Sequence, residues 1–297
     1  MTRTAPLGCN SVKRIGFGAM QLAGPGVFGP PRDPDAARTV LRRAVELGVD
    51  HIDTSQYYGP DVVNDLIRAA LYPYPADLRI VSKVGARRDS VGAWLPAQRP
   101  EELRAGVEAN LSALGVDTLA AVNLRLMDGV REVPLPEQIG TMEDLRREGK
   151  IDGIGISSAD RTTIEEALEL VELVCVQNAF SIVQRDGEDV VALCAERGIA
   201  FVPFFPLGSA FTGGPAAIAA DPQIVRVAER HGATPSQIAL AWLLHFDDGI
   251  LLIPGTSSVR HLEENLGAGE IALDADDMAA LASVEQRRDP LAATQHE

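Results

Sequence analysis

Three side chains in this 297-residue sequence have the types and spacing to move a proton together. Asp53 closes the strand-like run Asp50-His51-Ile52-Asp53, and Tyr58 follows five residues later, ahead of a helical stretch that begins near Asp61. Lys83 stands thirty residues beyond Asp53, near the end of Arg79-Ile80-Val81-Ser82-Lys83-Val84. Both runs read as strands followed by a turn and a helix, the pattern of a parallel sheet. Neighbouring strands lie roughly 4.8 Å apart, so the lysine stem reaches both Asp53 and Tyr58. A phenol with a pKa of about 10 is a reluctant acid at neutral pH, and a nearby cation lowers that value. Acid, cation and carboxylate at successive strand ends suit the delivery of a proton to a developing alkoxide, as carbonyl reduction requires. Singly, each residue has an ordinary reading as a turn cap, a loop-packing ring or a solvated strand end. The joint spacing favours a site.

The elements that must position these groups repeat along the chain. Arg14–Met20 reads as a strand. Asp33 and Pro34 read as the N-cap and first position of a helix with an apolar stripe over Val40, Leu41, Ala44, Val45 and Leu47. Strands are then predicted over 50–55, 79–84, 118–125, 151–157, 172–178, 199–204 and 249–254. Helices are predicted over 61–71, 100–114, 136–148, 161–171, 187–197, 221–231 and 258–266, and another opens at the capping box Thr234-Pro235-Ser236-Gln237. About eight βα units in a chain of this length predict a (β/α)₈ TIM barrel, a single domain over residues 1–297. Residues 274–284 read as an extra C-terminal helix outside it, followed by a polar, mobile tail over 285–297.

Inside the Gly/Pro-rich stretch 24–34, Gly24-Pro25-Gly26-Val27-Phe28-Gly29 has the letters of the dinucleotide fingerprint GxGxxG. The fingerprint needs its third glycine to open a helix. Here Pro30-Pro31-Arg32-Asp33-Pro34 follows, so the stretch reads instead as a loop over a site mouth.

A formal net charge of −15 argues against nucleic acid and anionic membrane surfaces as partners. No apolar run of membrane length appears, and Met1-Thr2-Arg3-Thr4-Ala5-Pro6 lacks the apolar core of a signal peptide, so the expected location is the cytoplasm. Cys9, Cys175 and Cys194 have no metal-ligand spacing, and the latter two read as reduced, buried thiols. His51 shares the inward face of Asp53, but no His or Cys cluster accompanies it at other strand ends. It reads as a core histidine, and no metal is expected.

In such a barrel the inward residues at the C-terminal strand ends face the site. Ala121, Asn123 and Arg125 share one face of their strand, opposite Val122 and Leu124; Gly153, Gly155 and Ser157 share another, and Leu173, Cys175 and Gln177 a third. With Asp53, Tyr58 and Lys83, this pattern resembles the aldo-keto reductases, whose sites combine Asp, Tyr, Lys and usually His, and the likeness extends over nearly the whole chain. It implies that Gly8, Cys9 and Asn10 turn a short N-terminal hairpin closing the barrel floor. It also implies that Ser157, Ser158 and Gln177 hold a nicotinamide carboxamide and that Phe204 stacks on the ring in place of the family's tyrosine. Pro206, Leu207, Gly208 and Ser209 match the run that follows that tyrosine. The loop and helix start from Gly255 through Thr256, Ser257, Ser258, Arg260, His261, Glu264 and Asn265 resemble the family's adenosine-phosphate segment. Its hydroxyls and arginine suit a ribose 2′-phosphate, so NADPH or NADP⁺ is the expected cofactor, without excluding NADH.

The departure is Arg125, which follows the lead-in Leu114-Gly115-Val116-Asp117 at the place where most members have histidine. Arginine cannot relay a proton but can polarise a carbonyl oxygen as a fixed cation, or pair with a carboxylate such as Asp128. Val122-Asn123-Leu124-Arg125 and Gly16-Phe17-Gly18-Ala19-Met20 resemble the branch that includes bacterial and fungal pyridoxal reductases. The resemblance therefore implies an NADPH-dependent oxidoreductase for a small-molecule aldehyde or ketone, pyridoxal being one candidate. The alternative is a nicotinamide-binding regulatory subunit with little turnover. Specificity would lie in loops 20–34, 86–99 and 206–220, and the sequence leaves the oligomeric state open.

Overall fold

Strand and helix alternate through the computed structural model, which describes residues 4–127, 132–209 and 212–287. The strands are β1 (Thr4–Leu7), β2 (Asn10–Lys13), β3 (Phe17–Gly18), β4 (His51–Asp53), β5 (Arg79–Arg88), β6 (Trp94–Ala97), β7 (Ala121–Arg125), β8 (Ile154–Ser157), β9 (Cys175–Gln177) and β10 (Ala200–Phe201). The α-helices are α1 (Pro34–Glu46), α2 (Val62–Leu71), α3 (Pro100–Leu114), α4 (Leu135–Arg147), α5 (Arg161–Leu170), α6 (Glu188–Arg197), α7 (Gly214–Ala220), α8 (Pro222–His231), α9 (Pro235–Phe246), α10 (Val259–Gly267) and α11 (Ala275–Ala282). Local chemistry sets several starts. Asp33 accepts from the Ala36 amide at 2.9 Å ahead of Pro34, Asp160 accepts from Thr163, and Thr234 and Gln237 form the predicted capping box.

β3, β4, β5, β7, β8, β9 and β10 run parallel in that order. The segment predicted as the last strand closes the ring by isolated bridges: Leu251 donates to the Phe201 carbonyl at 2.9 Å, while Leu252 donates to Arg14 and Gly16 donates back to Leu252, each at 2.8 Å. The closure is tight. A side chain at Gly18 would place its Cβ 2.3 Å from the Ile253 carbonyl oxygen, so only glycine lets β3 approach that segment. β1 and β2 form the expected N-terminal hairpin, turned by Gly8 at φ +58, and α11 is the extra C-terminal helix. The fold is the (β/α)₈ barrel.

Two apolar clusters follow from the strands' alternation. Val122, Leu124, Ile154, Ile156 and Val176 point outward into the layer shared with the helices. Ala121, Cys175, Val81, Ala200 and Leu251 point inward and meet Ala5, Leu7 and Val12 of the hairpin. Each fully buried Val, Leu or Ile contributes about 1.5–3 kcal/mol. The barrel interior below the site is therefore a packed floor.

Three features differ from the sequence expectations. β3 is two residues long because the chain turns into a 3₁₀ segment over Ala19–Leu22. β5 runs on past the barrel to Arg88 and pairs antiparallel with the unpredicted β6. α7 is a further helix inside the stretch expected to be loop. Asp128 and the tail beyond Arg287 lie outside the described residues.

Candidate active site

Asp53, Tyr58 and Lys83 meet at the C-terminal mouth of the barrel, each about 95% buried, with 4%, 5% and 5% of its surface exposed. The strand register brings them there: Asp53 ends β4 beside Val81, two residues before Lys83 on β5, and Tyr58 sits on the turn between Asp53 and α2. The Lys83 ammonium hydrogen-bonds the Asp53 carboxylate, donates to the Thr54 carbonyl at 3.2 Å and lies 5.1 Å from the centre of the Tyr58 ring. Asp53 takes a second hydrogen bond on its other oxygen, from Gln177 Nε2 at 2.9 Å.

The electrostatics of the tyrosine depart from the simple expectation. Burial pushes the Tyr58 phenol up to about 12; Lys83 opposes that rise and Asp53 adds to it. The cation therefore limits the rise rather than producing a net fall. Burial also disfavours the Lys83 ammonium, but the attraction and hydrogen bond of Asp53 together with the two neighbouring phenols outweigh it, and the ammonium is held above its usual range. At neutral pH the cluster is thus a protonated phenol beside a paired lysine. A group in this state can donate a proton and cannot act as a resting base.

Arg125, Ser157 and Gln177 form one row across β7, β8 and β9. They share the cleft with Asp53, Tyr58, Lys83, Ser158, Phe204, Pro206, Leu207, Gly208 and Gly255. Gln177 spends its amide nitrogen on Asp53, which leaves its carbonyl Oε1 buried and without a partner. Ser158 and Phe205 both hold left-handed backbone, at φ +59 and +54, conformations that cost non-glycine residues energy and cluster at functional sites. Phe204 is only partly buried and faces the cleft rather than the barrel core.

Ser209 lies behind this wall, buried, with its amide donating to Thr212 Oγ1 at 2.9 Å. Thr256 accepts from the Ser258 amide, and Ser258 caps α10 through the His261 amide. Ser257 and His261 are exposed, and Asn265 is buried. Arg260 pairs with Glu264 one turn on, and its other nitrogen lies 2.7 Å from His261 Nε2. Thr256, Ser257, Ser258, Arg260, His261, Glu264 and Asn265 are therefore a rim segment adjoining the cleft at Gly255, not part of its lining.

Several further cleft residues were not singled out by number in the sequence, although Met20, Gln21, Trp94 and Pro215 fall in the loops 20–34, 86–99 and 206–220 expected to set specificity. Gly18, Met20, Gln21, Phe205 and Pro215 also line the cleft. Trp94 on β6 packs edge-on to Tyr57 at 5.3 Å and carries the Arg125 guanidinium 5.0 Å above its ring. Gly85 makes this possible. Its φ is +101, and a Cβ there would stand 2.3 Å from the Arg125 carbonyl oxygen, so glycine lets β5 leave the barrel against β7. Gln98 Nε2 then donates to the same carbonyl at 3.2 Å.

His51 is buried, with Nδ1 3.3 Å from Asp50 and Nε2 unpartnered. Among the described residues no group of three or more His, Cys, Asp or Glu is placed to hold a metal ion. All three cysteines are free, and burial pushes the Cys175 and Cys194 thiols up to about 12. No helix among the described residues is long and apolar enough to cross a membrane.

The sequence profile of the Aldo/keto reductase family matches residues 14–286. Pyridoxine 4-dehydrogenase of Escherichia coli (strain K12) is 49% identical over 284 residues, spanning 94% of this chain and 97% of that protein. An uncharacterized oxidoreductase of Schizosaccharomyces pombe is 37% identical over 278 residues, spanning 94% of this chain and 88% of that one. A thermostable aldo-keto reductase solved with the inhibitor epalrestat superposes with a TM-score of 0.79 at 29% identity, covering 95% of this chain and 99% of its own. An aldo/keto reductase from Klebsiella pneumoniae solved with NADP and acetate, at 23% identity and a TM-score of 0.78 over 95% of this chain and 94% of that one, shares the fold.

Proposed function

This chain belongs to the aldo/keto reductase family, and we propose that it uses NADPH to reduce an aldehyde or ketone to the alcohol, with pyridoxal as the leading substrate. The observation that carries the reading is the buried cluster of Asp53, Lys83 and Tyr58 at the barrel mouth. NADPH, when bound, supplies the hydride. Tyr58 gives its proton to the carbonyl oxygen as negative charge develops there. Lys83 limits the rise in the tyrosine's pKa and helps stabilise the phenolate left behind, and Asp53 fixes the lysine. Arg125 adds a cation that cannot relay a proton but favours charge on the oxygen.

The residues present fit the cofactor. Gln177 Oε1 is a buried acceptor in want of a donor, which a carboxamide N–H supplies. Ser157 and Ser158 stand beside it, and Phe204 offers an accessible ring face for the nicotinamide. Pro206, Leu207, Gly208 and Ser209 would flank the cofactor. Gly255, Thr256, Ser257, Ser258, Arg260, His261, Glu264 and Asn265 would receive the adenosine phosphate at the start of α10. The substrate assignment is supported by the 49% identity to the E. coli pyridoxine 4-dehydrogenase, whose name places oxidation at the carbon that is an aldehyde in pyridoxal. Three free cysteines support a cytoplasmic, reducing location.

The test is a time course of NADPH absorbance with pyridoxal and a panel of simple aldehydes and ketones, with the alcohol identified by chromatography. Multiple turnovers yielding pyridoxine are expected. Oxidation of a single equivalent, or none across the panel, refutes the reductase reading; a regulatory protein would behave that way.

A further inference from the structure

Arg125 brings more charge to the cleft than proton delivery requires. Lys83 is offset by Asp53. Arg125 makes no ion pair among the described residues, and its Nε is buried without a hydrogen-bond partner. Its guanidinium is held over Trp94 at 5.0 Å, and a second guanidinium, that of Arg88, lies 4.1 Å from the same ring. Arg88 is committed: it donates to the carbonyls of Gly26, Val27 and Gly92 at 2.9, 3.0 and 2.7 Å. Of the two arginines over Trp94, Arg125 is therefore the one that lines the cleft, with no side-chain hydrogen bond among the described residues. This cationic wall stands in a chain of net charge −15, so the site's charge is local and opposite to that of the protein.

A neutral aldehyde oxygen is a weak partner for such a fork, since it gains charge only as the reaction proceeds. A substrate carrying a formal negative oxygen next to the carbonyl is a strong one: a ring oxygen and the oxygen of a formyl group on the adjacent ring carbon match the paired donors of a guanidinium. Pyridoxal has this arrangement, with an ionisable ring hydroxyl ortho to its aldehyde. We propose that Arg125 is a specificity residue that binds an ionised ortho-hydroxyl, so that the enzyme prefers 2-hydroxyaryl aldehydes, including heteroaromatic ones, over aldehydes without that group. The inference rests on the reductase reading above and adds the substrate class.

The experiment compares kcat/KM for 2-hydroxybenzaldehyde and 2-methoxybenzaldehyde with NADPH in the parent, Arg125→Met and Arg125→Lys. It runs from below to above the pH at which the substrate hydroxyl ionises. Intrinsic reactivity cancels when the hydroxy-to-methoxy ratio is compared between proteins. The ratio should fall about 10- to 100-fold in Arg125→Met, the usual worth of a charged hydrogen bond, and recover in part in Arg125→Lys. In the parent it should climb as the hydroxyl ionises, and in Arg125→Met it should stay level. Thermal unfolding and NADPH fluorescence titration establish that the variants are folded and bind cofactor. If Arg125→Met does not fold, the parent's pH dependence and the Arg125→Lys ratio decide the matter. A parent ratio that ignores ionisation, or one unchanged by either substitution, overturns the inference and leaves the reductase reading standing. A parent that reduces no aldehyde at all overturns both.

Discussion

Replacing Lys83 with methionine preserves the length and packing of the side chain but removes the cation that faces Asp53, the Thr54 carbonyl and the Tyr58 ring. Asp53 is then left 4% exposed with one neutral partner among the described residues, the Gln177 amide at 2.9 Å. Removing one member of a buried ion pair leaves an uncompensated charge, which costs about 3–5 kcal/mol. The lost Thr54 contact adds about 1 kcal/mol. Removing the carboxylate as well, in Lys83→Met/Asp53→Asn, deletes the orphaned charge, so the double variant should regain about 2 kcal/mol or more over Lys83→Met. Urea unfolding of the parent, both single variants and the double variant, followed by far-UV circular dichroism, closes the cycle. Lys83→Met within about 1 kcal/mol of the parent, or a double variant equal to the sum of the singles, would refute the claim that these groups form a coupled, desolvated pair.

Tyr58→Phe should lower kcat by about 10²- to 10⁴-fold, the worth of a positioned general acid, while a fluorescence titration shows NADPH affinity nearly unchanged; parental turnover would remove Tyr58 from the mechanism. Tyr58 and Lys83 both hold their protons more tightly in the folded protein, with the phenol at about 12. Their contribution to stability is therefore complete below about pH 10 and is lost as pH rises through the folded values. Unfolding free energy measured from pH 9 upward should fall above about pH 10, and less steeply in Tyr58→Phe. Arg260→Ala should weaken NADPH by about 1.5–3 kcal/mol in a binding titration and barely alter NADH, because a 2′-phosphate must draw the arginine from Glu264; equal losses for both cofactors would argue against phosphate reading.

The barrel and the acid cluster were legible because they rest on local rules. Alternation aimed Asn123 and Arg125 inward and Val122 and Leu124 outward, and the packing follows that split. Asp53, Tyr58 and Lys83 needed only the spacing of two successive βα units. The wall beside Arg125 was hidden because β6 has no barrel neighbour and pairs only with the overrun of β5. A signal was present: Asp89 accepts from the amides of Val91 and Ala93, the side-chain turn that Asp-Ser-Val-Gly predicts between two short strands. α7 was also readable, as Gly-Pro followed by an alanine-rich run places proline at the first helical turn. The pairing of Arg260 with Glu264 needed only their four-residue spacing.

What spacing could not reveal is that Asp53 serves two partners. A carboxylate only accepts, so its bond with Gln177 must be to the amide nitrogen and must turn the amide carbonyl away from Asp53. That carbonyl is the buried, unpartnered oxygen on the cleft wall. The same residue that holds Lys83 beneath Tyr58 therefore also decides which end of Gln177 is available to a ligand. With both Gln177 orientations open, the site would present a donor or an acceptor with little preference. With the amide nitrogen held by Asp53, it presents an acceptor, suited to an N–H. Lys83, Asp53 and the Gln177 amide are thus one hydrogen-bonded unit, joined across β4, β5 and β9, and the proposed proton delivery and cofactor contact would share it.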